Sequence, residues 1–301
     1  MAQNDKKSNK SNIILYVAAL LLVIWIAFPI YWMTNLSLQA EKEIYSVPPY
    51  YFPPNPNINN YWFIFDIEAA VKYFLEQGMS LFLFIPGSIK EFPRAIINSV
   101  IIATTVMGYN LIAGMLGSFA LTRIRFKGAM PLFYLSIIGR LLPPVVIAVP
   151  YYVIIRSIGL LDTLVSVIMV HIMFTMPFTI WILNTYLLGI PTDIEDAARV
   201  DGYSYFEILR KVTFPIIKPA IVAIAITSFM ISYGEFFFAL LLTKTAASRT
   251  IPVIIGSAMS EPRVVKGLIC AMGVLAMLPA MVIIILFRRY LIRGLVAGAV
   301  K

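Results

Sequence analysis

Residues 191–219, PTDIEDAARVDGYSYFEILRKVTFPIIKP, interrupt two long apolar runs with a polar stretch. Two helix starts are written into it. Thr192 with Glu195, and Ser204 with Glu207, each have the spacing of a capping box, in which the hydroxyl accepts from an amide one turn on and the carboxylate reaches back. Asp201-Gly202 separates the two helices, glycine being the residue that takes a positive φ without steric cost. Ala197 and Ala198 give the first helix a smooth face, and Phe206, Leu209 and Val212 recur at helical spacing on the second. Such a helix pair suits a partner's cleft. The plainer alternative is an incidental amphipathic loop between two membrane helices.

Outward from this stretch the chain is apolar. Of 301 residues 60% are hydrophobic and 13% charged, with mean hydropathy +0.86, too apolar for a soluble domain of this length. Segments near 13–36, 95–120, 130–155, 164–188, 220–243 and 267–287 each reach the ~20 residues that a bilayer-spanning helix needs. The expected fold class is therefore all-α integral membrane with six transmembrane helices. Backbone groups in hydrocarbon must be satisfied within their own segment, and no alternating barrel strands occur. The chain divides into a tail (1–12), a first span (13–36), an external segment (37–94), a core (95–287, with the polar stretch inside it) and a second tail (288–301).

Basic residues set the orientation. With the N-terminus inside, inner segments hold fourteen Lys and Arg: Lys6, Lys7 and Lys10; Arg123, Arg125 and Lys127; four in the polar stretch; four at the C-terminus. Outer segments hold nine over a longer total length, and Arg140 falls within a span. Both termini and residues 191–219 are then expected in the cytoplasm. The net charge of +9 is explained by basic helix ends and calls for no nucleic acid.

Absences narrow the function. The single cysteine, Cys270, has no disulfide partner within the chain, and the single histidine, His171, has no second metal-binding side chain at helical spacing, so it reads as a hydrogen-bonded interior group. No Gly-rich Lys-Ser/Thr phosphate loop is present. No cofactor, metal or catalytic residue is expected in this chain, and the driving chemistry belongs to a partner.

The stretch 191–219 resembles the conserved loop of ATP-binding-cassette importer permeases, whose pattern runs Glu-Ala-Ala, two residues, Asp-Gly-Ala, then an apolar helix ending in Leu-Pro and a further Pro. The matching residues are Asp196-Ala197-Ala198, Asp201-Gly202-Tyr203, Phe206, Phe214-Pro215 and Pro219. Asp196 stands where the family has Glu, with Glu195 beside it, and Tyr203 replaces a small residue. The aspartate before the glycine resembles the carbohydrate-uptake, maltose-type branch. Weaker likeness continues through Asn59-Asn60-Tyr61-Trp62, Asn98-Ser99, Arg123–Gly128, Leu142-Pro143-Pro144, Asp162-Thr163, Pro177-Phe178, Glu235-Phe236, Thr250-Ile251-Pro252 and Arg293–Gly298. Residues 64–93 do not match and read as an insertion, either touching an external binding protein or packing as a lid; its apolar run Leu81–Ile85 is too short to span.

The resemblance implies a type I, MetI-like permease in the cell (plasma or inner) membrane. It would be paired with a homologous permease, two ATP-binding-cassette ATPase subunits that hold ATP and Mg, and an extracytoplasmic solute-binding protein. It implies ATPase coupling through Glu195, Asp196, Ala197, Ala198, Asp201, Gly202, Phe206 and Pro215, and a sugar or related polar solute as cargo. Pro143, Pro144 and Pro150 are expected to break or kink the third span and Pro177 the fourth, and Gly108, Ala113, Gly114 and Gly117 to allow close helix approach in the second. Arg140 and Glu235 fall inside spans, where charge is expensive unless paired or wet. Glu235, with Tyr233 beside it, is a candidate to face the translocation pathway, with Arg140 as a second; a structural ion pair or a permease–permease contact is the competing reading. The alternative function is a secondary transporter independent of an ATPase, for which only Glu235 offers a coupling carboxylate within a span. A membrane enzyme would need a titratable cluster beyond the acids of 191–207, whose spacing serves capping.

Overall fold

The computed structural model describes residues 2–76, 87–124, 126–261 and 264–299, with side chains described between 13 and 289. The run Leu81–Ile85, Arg125 and Arg263 lie outside the described residues, as do the side chains of the C-terminal tail from 290 onward. The described elements are helices: α1 (Ala2–Ser37), α2 (Glu41–Ile44), α3 (Asn59–Phe63), α4 (Ile67–Glu76), α5 (Phe92–Phe119), α6 (Ala129–Leu141), α7 (Pro144–Ser157), α8 (Leu164–Leu188), α9 (Thr192–Val200), α10 (Tyr205–Glu207), α11 (Phe214–Tyr233), α12 (Phe237–Leu242), α13 (Ile251–Met259) and α14 (Lys266–Ala299). Five stretches are long and apolar enough to cross a membrane, and α6 with α7, bent by 103°, is a sixth candidate if the pair counts as one span. The chain forms two compact units, residues 1–92 with 255–277, and residues 93–254 with 278–301.

In the first unit the tail 1–12 continues directly into the first span as helix from Ala2. Side chains 13–31 are all exposed, an apolar surface that requires hydrocarbon around it. The end of α1 is tied down by the Asn60-Tyr61 step. Asn60 donates to the carbonyls of Ser37 (2.9 Å) and Gln39 (3.1 Å), and the Tyr61 hydroxyl lies 2.6 Å from that of Ser37. Glu41 accepts the amides of Lys266 and Gly267 at the start of α14, where a carboxylate complements the helix dipole. Burial nevertheless pushes its carboxyl above the ordinary glutamate range. In the segment after α3, α4 packs Phe74 with Tyr73 against Phe63.

The second unit is built on α5, α8 and α11. Asn110 of α5 donates to Thr175 of α8 (2.5 Å) and Ser228 of α11 (2.8 Å), so one buried amide joins three helices. Gly114 matters beside it, since a Cβ there would stand 2.7 Å from Thr179 Cγ2; Gly117 also faces α8, whereas Gly108 faces open space. Of the expected proline effects, the break falls at Leu142-Pro143, while Pro150 and Pro177 sit inside unbroken α7 and α8. The fifth span differs from the expected 220–243. The apolar helix runs Tyr205–Tyr233, with a π-helical turn at Ile208–Thr213, and ends before Glu235. Pro215 and Pro219 lack the amides that an α-helix needs one turn back, and the backbone widens just ahead of them rather than stopping.

The loop before α8 is latched to the segment 243–250. Asp162, in a left-handed conformation (φ 60°), accepts from the amides of Lys244 (2.7 Å) and Thr245 (3.0 Å) and from the hydroxyls of Thr245 and Ser248. Asn98 holds the same segment by the carbonyls of Ala246 and Arg249, and Ser99 accepts the amide of Ile251. Partial burial works to raise the Asp162 carboxyl, but the Ser248 and Thr245 hydroxyls and two amides outweigh it and hold it at about 2. Because this lies below the ordinary value of 3.8, the latch is at full strength above about pH 4 and is lost as pH falls toward 2. Asp162→Ala is expected to cost about 1–3 kcal/mol at neutral pH, read as a lower melting temperature of the purified protein. The wild type should lose more thermal stability than the variant between pH 4 and 2; equal losses would remove Asp162 from the account.

Candidate functional site

The stretch 191–219 folds as a helix–turn–helix with two unlike faces. Its turn closes as expected: Gly202, at φ 88°, donates to the Arg199 carbonyl (2.9 Å) and Tyr203 to that of Ala198 (3.0 Å), the double bond of a Schellman cap. Ser204 and Glu207 form the expected capping box, with Glu207 also bonded to Lys211. The first box does not form. The N-cap of α9 is Pro191, whose side chain has nothing to accept with, and Thr192 is already the first residue of the helix. Glu195 turns inward to Arg123, whose Nε lies 2.5 Å from its carboxylate, and the Thr213 hydroxyl donates to the other oxygen at 3.2 Å. A guanidinium in a nearly dry setting outcompetes a solvated backbone amide for the carboxylate.

Arg123 is the residue that sequence reasoning missed. It also donates to the carbonyls of Leu187 (2.8 Å) and Ile190 (3.3 Å), groups left open where α8 ends. Side-chain exposures of 4% and 3% make Arg123–Glu195 a buried pair. Around it Ala198, Ile208 and Leu209 pack on Phe119, Leu183 and Leu187, the ends of α5 and α8. In RIRFKG Arg123 reads as one more cytoplasmic charge, and no local pattern marks it as a buried clasp.

The opposite face is bare. Val200 is 89% and Phe206 63% exposed, and Ile194, Tyr203 and Tyr205 are exposed with them. Asp196, Ala197, Asp201, Gly202 and Pro215 lie on the surface. Phe206 also borders an apolar groove of about 520 Å³ that runs between α5 and α11, with Arg210 at its edge. Of the eight residues expected to couple, six are outward and two, Glu195 and Ala198, hold the element from beneath.

The charges expected within spans are placed differently. Glu235 sits in the break between α11 and α12. It accepts the amides of Phe238 (2.9 Å) and Ala239 (3.0 Å), and its other neighbour is His171 Nε2 at 3.1 Å. His171 is the interior hydrogen-bonded group expected, with Nδ1 2.7 Å from the Ser232 hydroxyl. Tyr233 is the last residue of α11. Its ring is buried and stacked on Phe229, one helical turn back. Arg140 lies in the last turn of α6, just before the elbow, its guanidinium 4.6 Å from the centre of the Phe178 ring. Among the described residues no group of three or more His, Cys, Asp or Glu is placed to hold a metal.

A family model described as the inner membrane component of binding-protein-dependent transport systems matches residues 110–296, which include the whole helix–turn–helix. The inner membrane ABC transporter permease protein YcjP of Escherichia coli is 27% identical over 303 residues, 100% of both chains. The trehalose/maltose transport system permease protein MalG of Thermococcus litoralis is 27% identical, covering 96% of this chain and 97% of that one. The trehalose transport system permease protein SugB of Mycobacterium tuberculosis is 33% identical over 70% of this chain and 77% of that one. A chain from the crystal structure of a bacterial ABC transporter involved in the import of the acidic polysaccharide alginate has the same fold, with TM-score 0.71 at 17% identity over 93% and 95% of the two chains. Membership of this family implies an external solute-binding protein and an ATPase as partners and leaves no place for the secondary-transporter alternative. The chain belongs to the binding-protein-dependent transport system inner membrane component family and is a membrane-embedded permease subunit of an ABC importer.

Proposed function

We propose that this chain, with a second homologous permease, forms the pathway for a sugar or related polar solute, and that it is driven by two ATPase subunits that hold the ATP and Mg. The chain itself then needs no cofactor and catalyses no reaction. Relatives whose names specify trehalose, maltose and diacetylchitobiose support the carbohydrate reading. Both termini lie in the cytoplasm on the distribution of basic residues, with the core 95–287 between them.

The observation that carries the coupling role is the two-faced element: Val200, Phe206 and three further large apolar side chains exposed on a surface rich in charge, over an underside locked by Arg123 and Glu195. Asp196, Ala197, Asp201, Gly202, Phe206 and Pro215 meet the ATPase; Glu195 and Ala198 keep them in place. Closure of the ATPase dimer on ATP moves the spans only insofar as it binds one permease state better than the other, since a contact of equal strength in both shifts nothing.

Purification in mild detergent tests this reading. An ATPase and a second permease should co-elute, with ATP hydrolysis that Gly202→Asp uncouples or lowers; elution alone, without ATP dependence, refutes the proposal. Gly202→Ala is a milder probe. A Cβ at this site meets no atom within 4 Å, so its cost is the left-handed backbone alone, about 1–2 kcal/mol. Uptake per importer should fall roughly tenfold at unchanged membrane abundance. Uptake equal to wild type would mean that the turn's geometry is not what couples.

A further inference from the structure

Two broken helices meet at Glu235. Pro144 opens α7 directly after the elbow, Ser232, Glu235 and Phe238 span the gap between α11 and α12, and His171, Phe174 and Thr175 of the unbroken α8 form the third wall. The cavity between them is about 110 Å³, room for several waters at the ~10–15 Å³ that one needs. Broken helices at membrane depth are tolerated where the freed backbone lines protein or water.

The lining is specific in what it can bind. The Glu235 carboxylate has about four lone-pair positions, of which Phe238, Ala239 and His171 take three, and its side chain remains 22% exposed. His171 Nε2 faces the Glu235 carboxylate at 3.1 Å, and its Nδ1 lies 2.7 Å from the Ser232 hydroxyl, which can donate or accept. Thr175 already donates to the His171 carbonyl and accepts from Asn110. The cleft is walled mainly by apolar surface, with the Glu235 carboxylate and the Ser232 and Thr175 hydroxyls in its lining beside the paired rings of Phe174 and Phe238, whose centres are 5.1 Å apart. A second charge borders the same face of α8. Arg140 lies over Phe178, seven residues and about 10 Å beyond His171, held by a ring rather than by a carboxylate. Charges so placed are affordable where water reaches them.

We propose that this cleft is a solute-binding station on the translocation pathway, and that it takes uncharged, hydroxyl-rich molecules and rejects anionic ones. Solute hydroxyls donate to Glu235 and Ser232 while a C–H face lies on the phenylalanine rings. The inference rests on the importer reading above and adds to it the place and the charge class of the cargo.

The test uses the complete importer in lipid vesicles, with Cys270→Ala and one added thiol, at Ser232→Cys or Phe174→Cys. Water-soluble cationic and anionic thiosulfonates are applied with and without ATP and vanadate. Both thiols should label in one nucleotide state and be protected in the other. The cationic reagent should react about tenfold faster than the anionic one, a preference that Glu235→Gln abolishes. From a set of trehalose, maltose, diacetylchitobiose and glucuronate, at least one uncharged disaccharide should slow labelling and glucuronate should not. Thiols that stay silent in both states but label fully after denaturation overturn the placement, as does labelling indifferent to ATP. Slowing by glucuronate, or by no disaccharide, overturns the ligand class. Co-elution of the ATPase is scored on the same preparation, so its loss sinks the importer reading, whereas silent thiols in an intact complex sink the cleft alone.

Discussion

Arg123→Ala is expected to cost about 3–5 kcal/mol, the usual penalty for stranding one member of a buried ion pair, and to reduce the assembled importer in the membrane by more than tenfold. The loss has three parts. Glu195, 3% exposed at its side chain, loses its partner; the Leu187 and Ile190 carbonyls lose their donor; and α9 loses its tie to the ends of α5 and α8. Arg123→Met with Glu195→Met should restore part of the abundance, because no charge is then stranded, though the carbonyls at the end of α8 stay open. Quantitative immunoblots alongside uptake separate the two effects. Wild-type abundance and uptake in Arg123→Ala would show that the pair contributes nothing.

Phe206→Ala should behave oppositely, leaving the subunit's own melting temperature nearly unchanged and weakening its hold on the ATPase. An aromatic side chain 63% exposed on a docking face is the kind that anchors an interface, and truncating such an anchor costs about 2–4 kcal/mol, or roughly 30- to 1000-fold in affinity. Binding of the purified permease pair to the ATPase dimer measures this directly. An unchanged affinity would move the docking contact elsewhere on the element, to Val200 or Tyr203.

Much of this was legible in the chain because hydrophobicity and turn chemistry are local. Runs of about 20 apolar residues announce the spans, Gly202 announces its turn, and Ser204 with Glu207 announces a cap. What was not legible depends on residues far apart. Thr192 and Glu195 carry the same cap spacing, yet Glu195 is claimed by Arg123, 72 positions away. Periodicity alone did not reveal that the helix after the turn runs unbroken from Tyr205 into the membrane, since a proline pair reads as a boundary. The family-like positions Asn98, Ser99, Asp162 and Thr163 are scattered in sequence; folded, the first three fasten one segment, and Thr163 caps α8 beside them.

The π-helical turn Ile208–Thr213 follows the docking face in the chain. It holds one residue more per turn than an α-helix, between exposed Phe206 and the membrane helix that starts at Phe214. The wider turn takes up its extra residue with the register on either side kept, whereas deleting one residue from the α-helix that follows it would swing everything before the deletion by about 100° around the helix axis. Val200, Tyr203 and Phe206 would swing together and face a different way, with every side chain of the docking face still present. The element is thus a dial as well as a plug: which way it faces is written in the number of residues behind it, and an insertion or deletion there would be far more damaging than its mild substitutions suggest.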